Sequence, residues 1–354
     1  MNGIVSPQDH DYLVSRLLDM LAIPSPTGFT DELSRYVCDQ LGALGVDYQL
    51  TRRGTIIACM RGQRQNNARA VVNHLDTIGA TVVDLKNNGR LSLAPIGTWS
   101  SRFAEGGRVT IFSRHGAFRG QVLPVLASGH AFNEKVDQLP VSWDHVEVRV
   151  NEASYSRDDL LKLGIRDGDF VAFDADPELA NNGFITARHL DNKAGASALL
   201  TALKMLREQN IVPSIDLYAI FTITEEVGTG AGSSLAEHVS EFVGIDIGPV
   251  APGQNAKETG ATLCAKDTSG PFDYHMLQKL KHLCAEHGIA HQVDVFRYYY
   301  SDANSAIKAG HDVREALITF GTDATHGYER THINSLESIA KLIYHYAQSD
   351  EVGK

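Results

Sequence analysis

The period of the apolar residues changes twice along this chain, and that change limits the fold more than any other feature. Between Ile78 and Asn182, short alternating segments such as Arg108–Phe112, Gly120–Val125 and His145–Val150 are separated by Gly, Asn, Asp and Pro. This is the pattern of half-buried strands joined by tight turns. On either side the spacing is different. Leu13, Leu17, Leu18 and Leu21 share one helical face before Pro24. Similar spacing predicts helices over Thr30–Leu44, Leu190–Arg207, Pro271–Glu286 and Ser335–Gln348. Apolar runs predict strands at Thr55–Met60, Ala70–Asn73, Asp216–Thr222, Glu241–Ile245, Thr262–Ala265 and Gln292–Phe296. Strands alternating with helices bury a mostly parallel sheet between helical layers. The chain therefore reads as α/β, with a mixed, mostly parallel sheet flanked by helices in residues 1–77 and 183–354. A small β-barrel or PDZ-like module at 78–182 interrupts it.

Composition narrows the partners. Of 354 residues, 43% are hydrophobic and 21% charged, the balance of an ordinary globular protein. Lys and Arg number 32 against 43 Asp and Glu, a net charge of −11, which argues against nucleic acid. There is no run of 18 apolar residues to span a membrane. The opening residues lack the basic and apolar regions of a secretory signal. Cys38, Cys59, Cys264 and Cys284 lie far apart and form no CxxC pair. Free thiols in a cytoplasmic protein fit them best.

Five places put ligand-type side chains at strand ends or in the loops that follow, where an α/β sheet presents its chemistry. They are Asn73-His74-Leu75-Asp76, His189-Leu190-Asp191-Asn192-Lys193, Thr222-Ile223-Thr224-Glu225-Glu226, Gly244-Ile245-Asp246-Ile247 and Thr325-His326-Gly327-Tyr328-Glu329-Arg330-Thr331-His332. Each has an ordinary structural reading as a solvated strand end, helix cap, acidic turn or polar loop. Together they supply His and carboxylate ligands without Cys, a set suited to Zn²⁺, Co²⁺ or Mn²⁺. Adjacent Glu225 and Glu226 allow one ligand and one general base, the division that metal-assisted hydrolysis needs.

In that order, and with a β module inserted after the first motif, the sequence resembles the M42 aminopeptidases, glutamyl aminopeptidases and TET-like enzymes among them. The likeness extends to Ala265-Lys266-Asp267 and Ser301-Asp302-Ala303-Asn304. The resemblance implies two divalent metal ions per subunit. His74 and Asp246 would hold one, Glu226 and a late His the other, and Asp191 would bridge them. Glu225 would be the general base and Asp76 would orient His74. Distance from the last helix favours His332 over His326 as the late His. The resemblance also implies a cis peptide after Asp191 and a homo-oligomer, dimer to dodecamer, joined through the inserted module. Two departures stand out: Thr77 replaces a second acidic residue, and Tyr328–Asn334 replaces a more usual Arg-Tyr-x-His-Ser. The implied activity is release of N-terminal residues from peptides. The alternative is a deacylase of the same clan acting on a small N-acylated dipeptide. The Thr325–His332 run resembles an M42-like branch linked to the osmolyte N-acetylglutaminylglutamine amide.

Other classes fit less well. Gly228-Thr229-Gly230-Ala231-Gly232 follows a strand but lacks the third spaced glycine of a dinucleotide fingerprint. No Gly-x-Ser-x-Gly elbow marks a serine hydrolase. A binding protein that had lost its activity would not be expected to keep the whole ligand set.

Overall fold

The computed structural model describes residues 5–353. Helices α1 (Pro7–Leu21) and α2 (Asp31–Ala43) come first. Ser6 and Asp9 cap α1 reciprocally, each side chain bonded to the other's amide, with Pro7 at the first helical position. Strands β1 (Asp47–Leu50), β2 (Ile56–Met60) and β3 (Arg64–His74) follow. Six strands then close into an antiparallel barrel in the order β4-β5-β8-β7-β6-β9. They are β4 (Gly79–Leu85), β5 (Arg90–Ile96), β6 (Arg108–Ser113), β7 (Gly116–Pro124), β8 (Val146–Val150) and β9 (Phe170–Phe173). Short helices α3 (Gly129–Phe132) and α4 (Arg157–Lys162) lie in its connections.

The chain returns through β10 (Glu178–Leu179) and β11 (Phe184–Ala187) to the long helix α5 (Leu190–Glu208). Then come β12 (Ile215–Thr222), β13 (Val239–Pro249), β14 (Ala261–Lys266), α6 (Tyr274–Glu286), β15 (His291–Val295), α7 (Asp302–Lys308), β16 (Arg314–Thr322), β17 (Glu329–His332) and α8 (Ile333–Gln348). Eight of these strands form the main sheet, ordered β1-β2-β12-β3-β13-β16-β14-β15. Its four middle strands, β12, β3, β13 and β16, are mutually parallel. Both faces are covered, so these strands are apolar almost throughout, as β16 shows with Ala316, Leu317, Ile318 and Phe320 all buried. Helix α5 is buried from Leu190 to Met205 except at Lys204. Gly195 lets it approach the sheet, since a Cβ there would fall 2.7 Å from Asn73 Nδ2 and 2.9 Å from Ile245.

The sequence reading left out β16, which lies inside the sheet, and the short helix α7. Within the 78–182 span, β10 pairs with β11 and through it with β17 in a separate three-stranded sheet. Among the described residues no helix is long and apolar enough to cross a membrane.

Candidate active site

Register alone brings the sequence motifs together. His74 ends β3 and pairs with Thr222, the last residue of β12, so Glu225 and Glu226 follow in the loop beside it. Gly244 of β13 pairs with Val72 of β3, which sets Asp246 level with His74. His326 lies in the loop after β16. All four segments leave the carboxyl ends of parallel strands, where α/β sheets present ligands. Asp191 enters from the first turn of α5, across a cis Asp191–Asn192 peptide. Asn192 fixes that turn by donating to the carbonyl of Ile245 at 2.7 Å, while Asn73 donates to the carbonyl of Asn192 at 3.0 Å.

The cluster has two sides. Oδ1 of Asp191 lies 3.0 Å from His74 Nε2, which is itself 3.7 Å from Asp246 and 3.8 Å from Glu225. Oδ2 of Asp191 lies 3.5 Å from His326 Nε2, which is 3.4 Å from Glu226. In both histidines the other nitrogen is committed to the main chain. Nδ1 of His74 donates to the carbonyl of Asp76 at 2.8 Å, and Nδ1 of His326 donates to that of Thr98 at 2.9 Å. That arrangement turns both Nε2 atoms toward the carboxylates, as in metal-ligating histidines.

The electrostatics fit a cationic occupant. Burial raises Glu225 well above the usual carboxylate range, and the negative charge of Asp246 adds to it. Burial also pushes Glu226 up to about 8, opposed by His326 and reinforced by Asp191. Asp246 is raised by burial and by Asp191. Burial opposes a charge on His326, yet Glu226 and Asp191 outweigh it and lift the ring to about 10. Buried carboxylates this close repel one another unless a positive charge lies between them. His74 with Asp191 and Glu226, and His74 with Glu225 and Asp246, each bring three ligand atoms within 4.8 Å of one another. Imidazole and carboxylate donors of this kind suit divalent transition ions.

Two sequence expectations change. His332 does not join the cluster. Its Nε2 donates to the carbonyl of Asn182 at 2.8 Å, and its Nδ1 accepts the amide of Asn334 at 3.0 Å, capping α8. Its ring meets Phe184 edge-on, with centroids 4.7 Å apart. Proximity to the last helix made it a cap; the loop after β16 places His326 in the cluster instead. Asp76 does orient His74, but through its carbonyl; its carboxylate Oδ1 lies 3.7 Å from the same Nδ1. The carboxylate takes the hydroxyl of Thr27 at 2.7 Å and the amides of Glu225 and Glu226 at 3.1 and 3.3 Å. It holds the corner that carries the two glutamates.

The sequence reading gave no role to three participants, although Glu329 and Asp302 lie in segments it singled out. Thr98, from the barrel, braces His326 through its carbonyl. Glu329 is buried and bonds two ligand loops. Asp302 at the start of α7 accepts from the hydroxyl of Thr222 at 2.6 Å and the amide of Ala231 at 2.7 Å. Asp302 also explains the glycine-rich run. A Cβ on Gly230 would fall 1.8 Å from its Oδ1, so close approach, not a phosphate, requires that glycine. Above the cluster lies a cleft of 860 Å³. Tyr298, Tyr299 and Tyr300 line it, as do Ser301, Asn304, Ser305 and Lys308, which share one face of α7.

A profile of the M42 glutamyl aminopeptidase family matches residues 54–342. YhfE of Bacillus subtilis (strain 168) is 35% identical over 335 residues, covering 94% of this chain and 96% of its own. The fold is that of the TET peptidases. The TET aminopeptidase of Thaumarchaeota archaeon SCGC AB-539-E09 superposes with a TM-score of 0.86 at 17% identity, over 96% of both chains. The Pyrococcus horikoshii TET1 peptidase gives 0.84 at 21% identity, over 95% of this chain and 99% of its own. The chain belongs to the M42 glutamyl aminopeptidase family and is a hydrolytic enzyme of that peptidase class.

Proposed function

We propose that this protein is a two-metal aminopeptidase that removes N-terminal residues from peptides. The observation that carries the reading is the place of Asp191 between two histidines: Oδ1 lies 3.0 Å from His74 Nε2, which is 3.7 Å from Asp246, and Oδ2 lies 3.5 Å from His326 Nε2, which is 3.4 Å from Glu226. In this arrangement His74, Asp191 and Asp246 would hold one ion, and Asp191, Glu226 and His326 would hold the other. Two divalent ions, Zn²⁺, Co²⁺ or Mn²⁺, polarise the scissile carbonyl and acidify water when bound.

The chain's own residues supply the rest. Glu225 is the general base. Its amide is fixed by Asp76, and burial raises its proton affinity. It is placed to take a proton from the attacking water and return it to the leaving amine. Thr98 from the barrel and Asp76 from the sheet hold the two imidazoles, so the site needs both parts of the chain.

We place the enzyme in the cytoplasm, a reading supported by four free cysteines. We also infer a homo-oligomer. The Pyrococcus horikoshii TET1 peptidase, of the same fold, assembles into a tetrahedron or a large octahedral shell, and the barrel at 79–173 is the surface assigned here to subunit contact.

The test is hydrolysis of matched peptides with free and acetylated N-termini, before and after chelation and with Co²⁺ or Zn²⁺ restored. Chelator-sensitive release from the free-amine peptides alone is the expected result. Cleavage of the acetylated set alone would move the activity to a deacylase. No metal-dependent cleavage of either would overturn the proposal.

A further inference from the structure

We propose that Glu329 is a positioning residue that sets the spacing of the metal site by holding the main chain of Asp191 and of His326 on one carboxylate. The inference rests on the two-metal reading above and concerns a residue that touches neither ion nor substrate in that reading.

The geometry is specific. Oε2 of Glu329 accepts the amide of Asp191 at 3.1 Å, and Oε1 accepts the amide of His326 at 3.0 Å. The side chain is 1% exposed. Each oxygen is thus engaged by a ligand residue's own backbone N–H. The bridging carboxylate and the late histidine come from opposite ends of the second half of the sequence, and this carboxylate ties them directly.

Both tethered segments need holding. His326 and Ala324 sit at φ of 60° and 55°, and His189, two residues before Asp191, at 66°. Residues with a Cβ populate that left-handed region sparsely. Such conformations persist where the surroundings over-determine them. Here the surroundings are Glu329 and the small sheet beneath it. Strand β17 pairs with β11 in the register Glu329 to Ala187, Arg330 to Thr186 and Thr331 to Ile185. Strand β11 feeds directly into the segment bearing Asp191. The loop bearing His326 runs into β17. The sheet therefore brings the two loops to one end, and the Glu329 carboxylate fixes their last few tenths of an ångström.

Both oxygens are engaged by main-chain amides of ligand-bearing segments, the arrangement of a group that orients ligands. Neither shorter nor neutral replacements reproduce this. Asp cannot span both amides, and Gln offers one acceptor and turns its NH₂ toward the other donor.

The experiment compares metal-free wild type with Glu329→Gln and Glu329→Asp by calorimetric titration with Zn²⁺ and Co²⁺, and by the visible spectrum of the Co²⁺ forms. Melting of each metal-free protein shows whether it is folded. The wild type is expected to bind two ions. The variants are expected to fold without metal, with a melting temperature lowered by the buried amide each leaves unpaired, and to bind the weaker ion roughly tenfold to a hundredfold less tightly. Saturating metal should then restore much of kcat. Should Glu329→Gln not fold, Glu329→Asp, which keeps the charge, carries the test. Wild-type affinity for both ions in a folded variant overturns the inference and leaves the two-metal reading intact. So does a loss of melting temperature with ion binding unchanged, because the residue would then serve the fold alone. A wild type that binds fewer than two ions overturns the two-metal reading and the inference with it.

Discussion

Nε2 of His326 lies 3.4 Å from Oε2 of Glu226, although the two reach the site on loops from different strands. In the proposed two-metal reading this pair forms one half of the ligand set, and His332 lies outside it. His326→Ala should therefore lose one of two ions and at least most of its activity. His332→Ala should keep both ions and cost about 1 kcal/mol of stability through the lost cap of α8. Metal analysis of the two purified variants, with melting curves, separates them.

The proposed reading gives the neighbours Glu225 and Glu226 different duties. Glu225→Gln should retain both ions and lose at least about a hundredfold in kcat, the usual scale of general acid–base catalysis. Glu226→Gln should lose metal. Steady-state kinetics beside metal analysis checks both, and full activity in Glu225→Gln would remove it from the base role.

Asp191 faces both histidines, so its loss should empty both sides. The buried carboxylates also predict that metal stabilises the fold. Wild type at a free ion concentration of 100 times the dissociation constant gains about 2.7 kcal/mol, seen as a higher Tm. Asp191→Ala should show no such rise with Co²⁺ or Zn²⁺.

Away from the site, the His345 ring stacks on His287 with centroids 3.4 Å apart and planes 6° apart. Burial lowers His345 from 6.5 to about 4, and His287 adds to the shift against the pull of Glu286. The ring stays neutral in the folded protein down to that pH, whereas the unfolded chain takes up its proton near pH 6.5. Stability from this group is therefore present above pH 6.5 and lost as pH falls toward 4. Melting temperatures of wild type should drop more steeply across that window than those of His345→Asn.

Gly230 is required by Asp302, whose carboxylate is fixed by Thr222 and Ala231. Gly230→Ala should destabilise the protein by about 1–3 kcal/mol, the range for forcing extra volume into a packed site. NAD(P) should not bind the wild type measurably. Denaturant melts and a cofactor titration check the two halves of this statement.

The sequence alone determined the architecture and most of the ligand set. Its change of apolar period separated the barrel from the α/β sheet, because the two structures bury side chains at different spacings. His74, Asp191, Glu226 and Asp246 lay in motifs that were each ambiguous alone; their shared order, and the resemblance to the M42 aminopeptidases that this order carries, singled them out. Strand β16 carried an apolar signal in Ala316-Leu317-Ile318 that the same reading could have used. The choice between His326 and His332 was not legible, since both lie in one polar run. It depends on where the loop after β16 turns and on which ring meets a carbonyl of the barrel. Thr98, Glu329 and Asp302 were equally hidden. Each acts through contacts between segments far apart in the chain, and such contacts exist only once the sheets and the barrel have set those segments side by side.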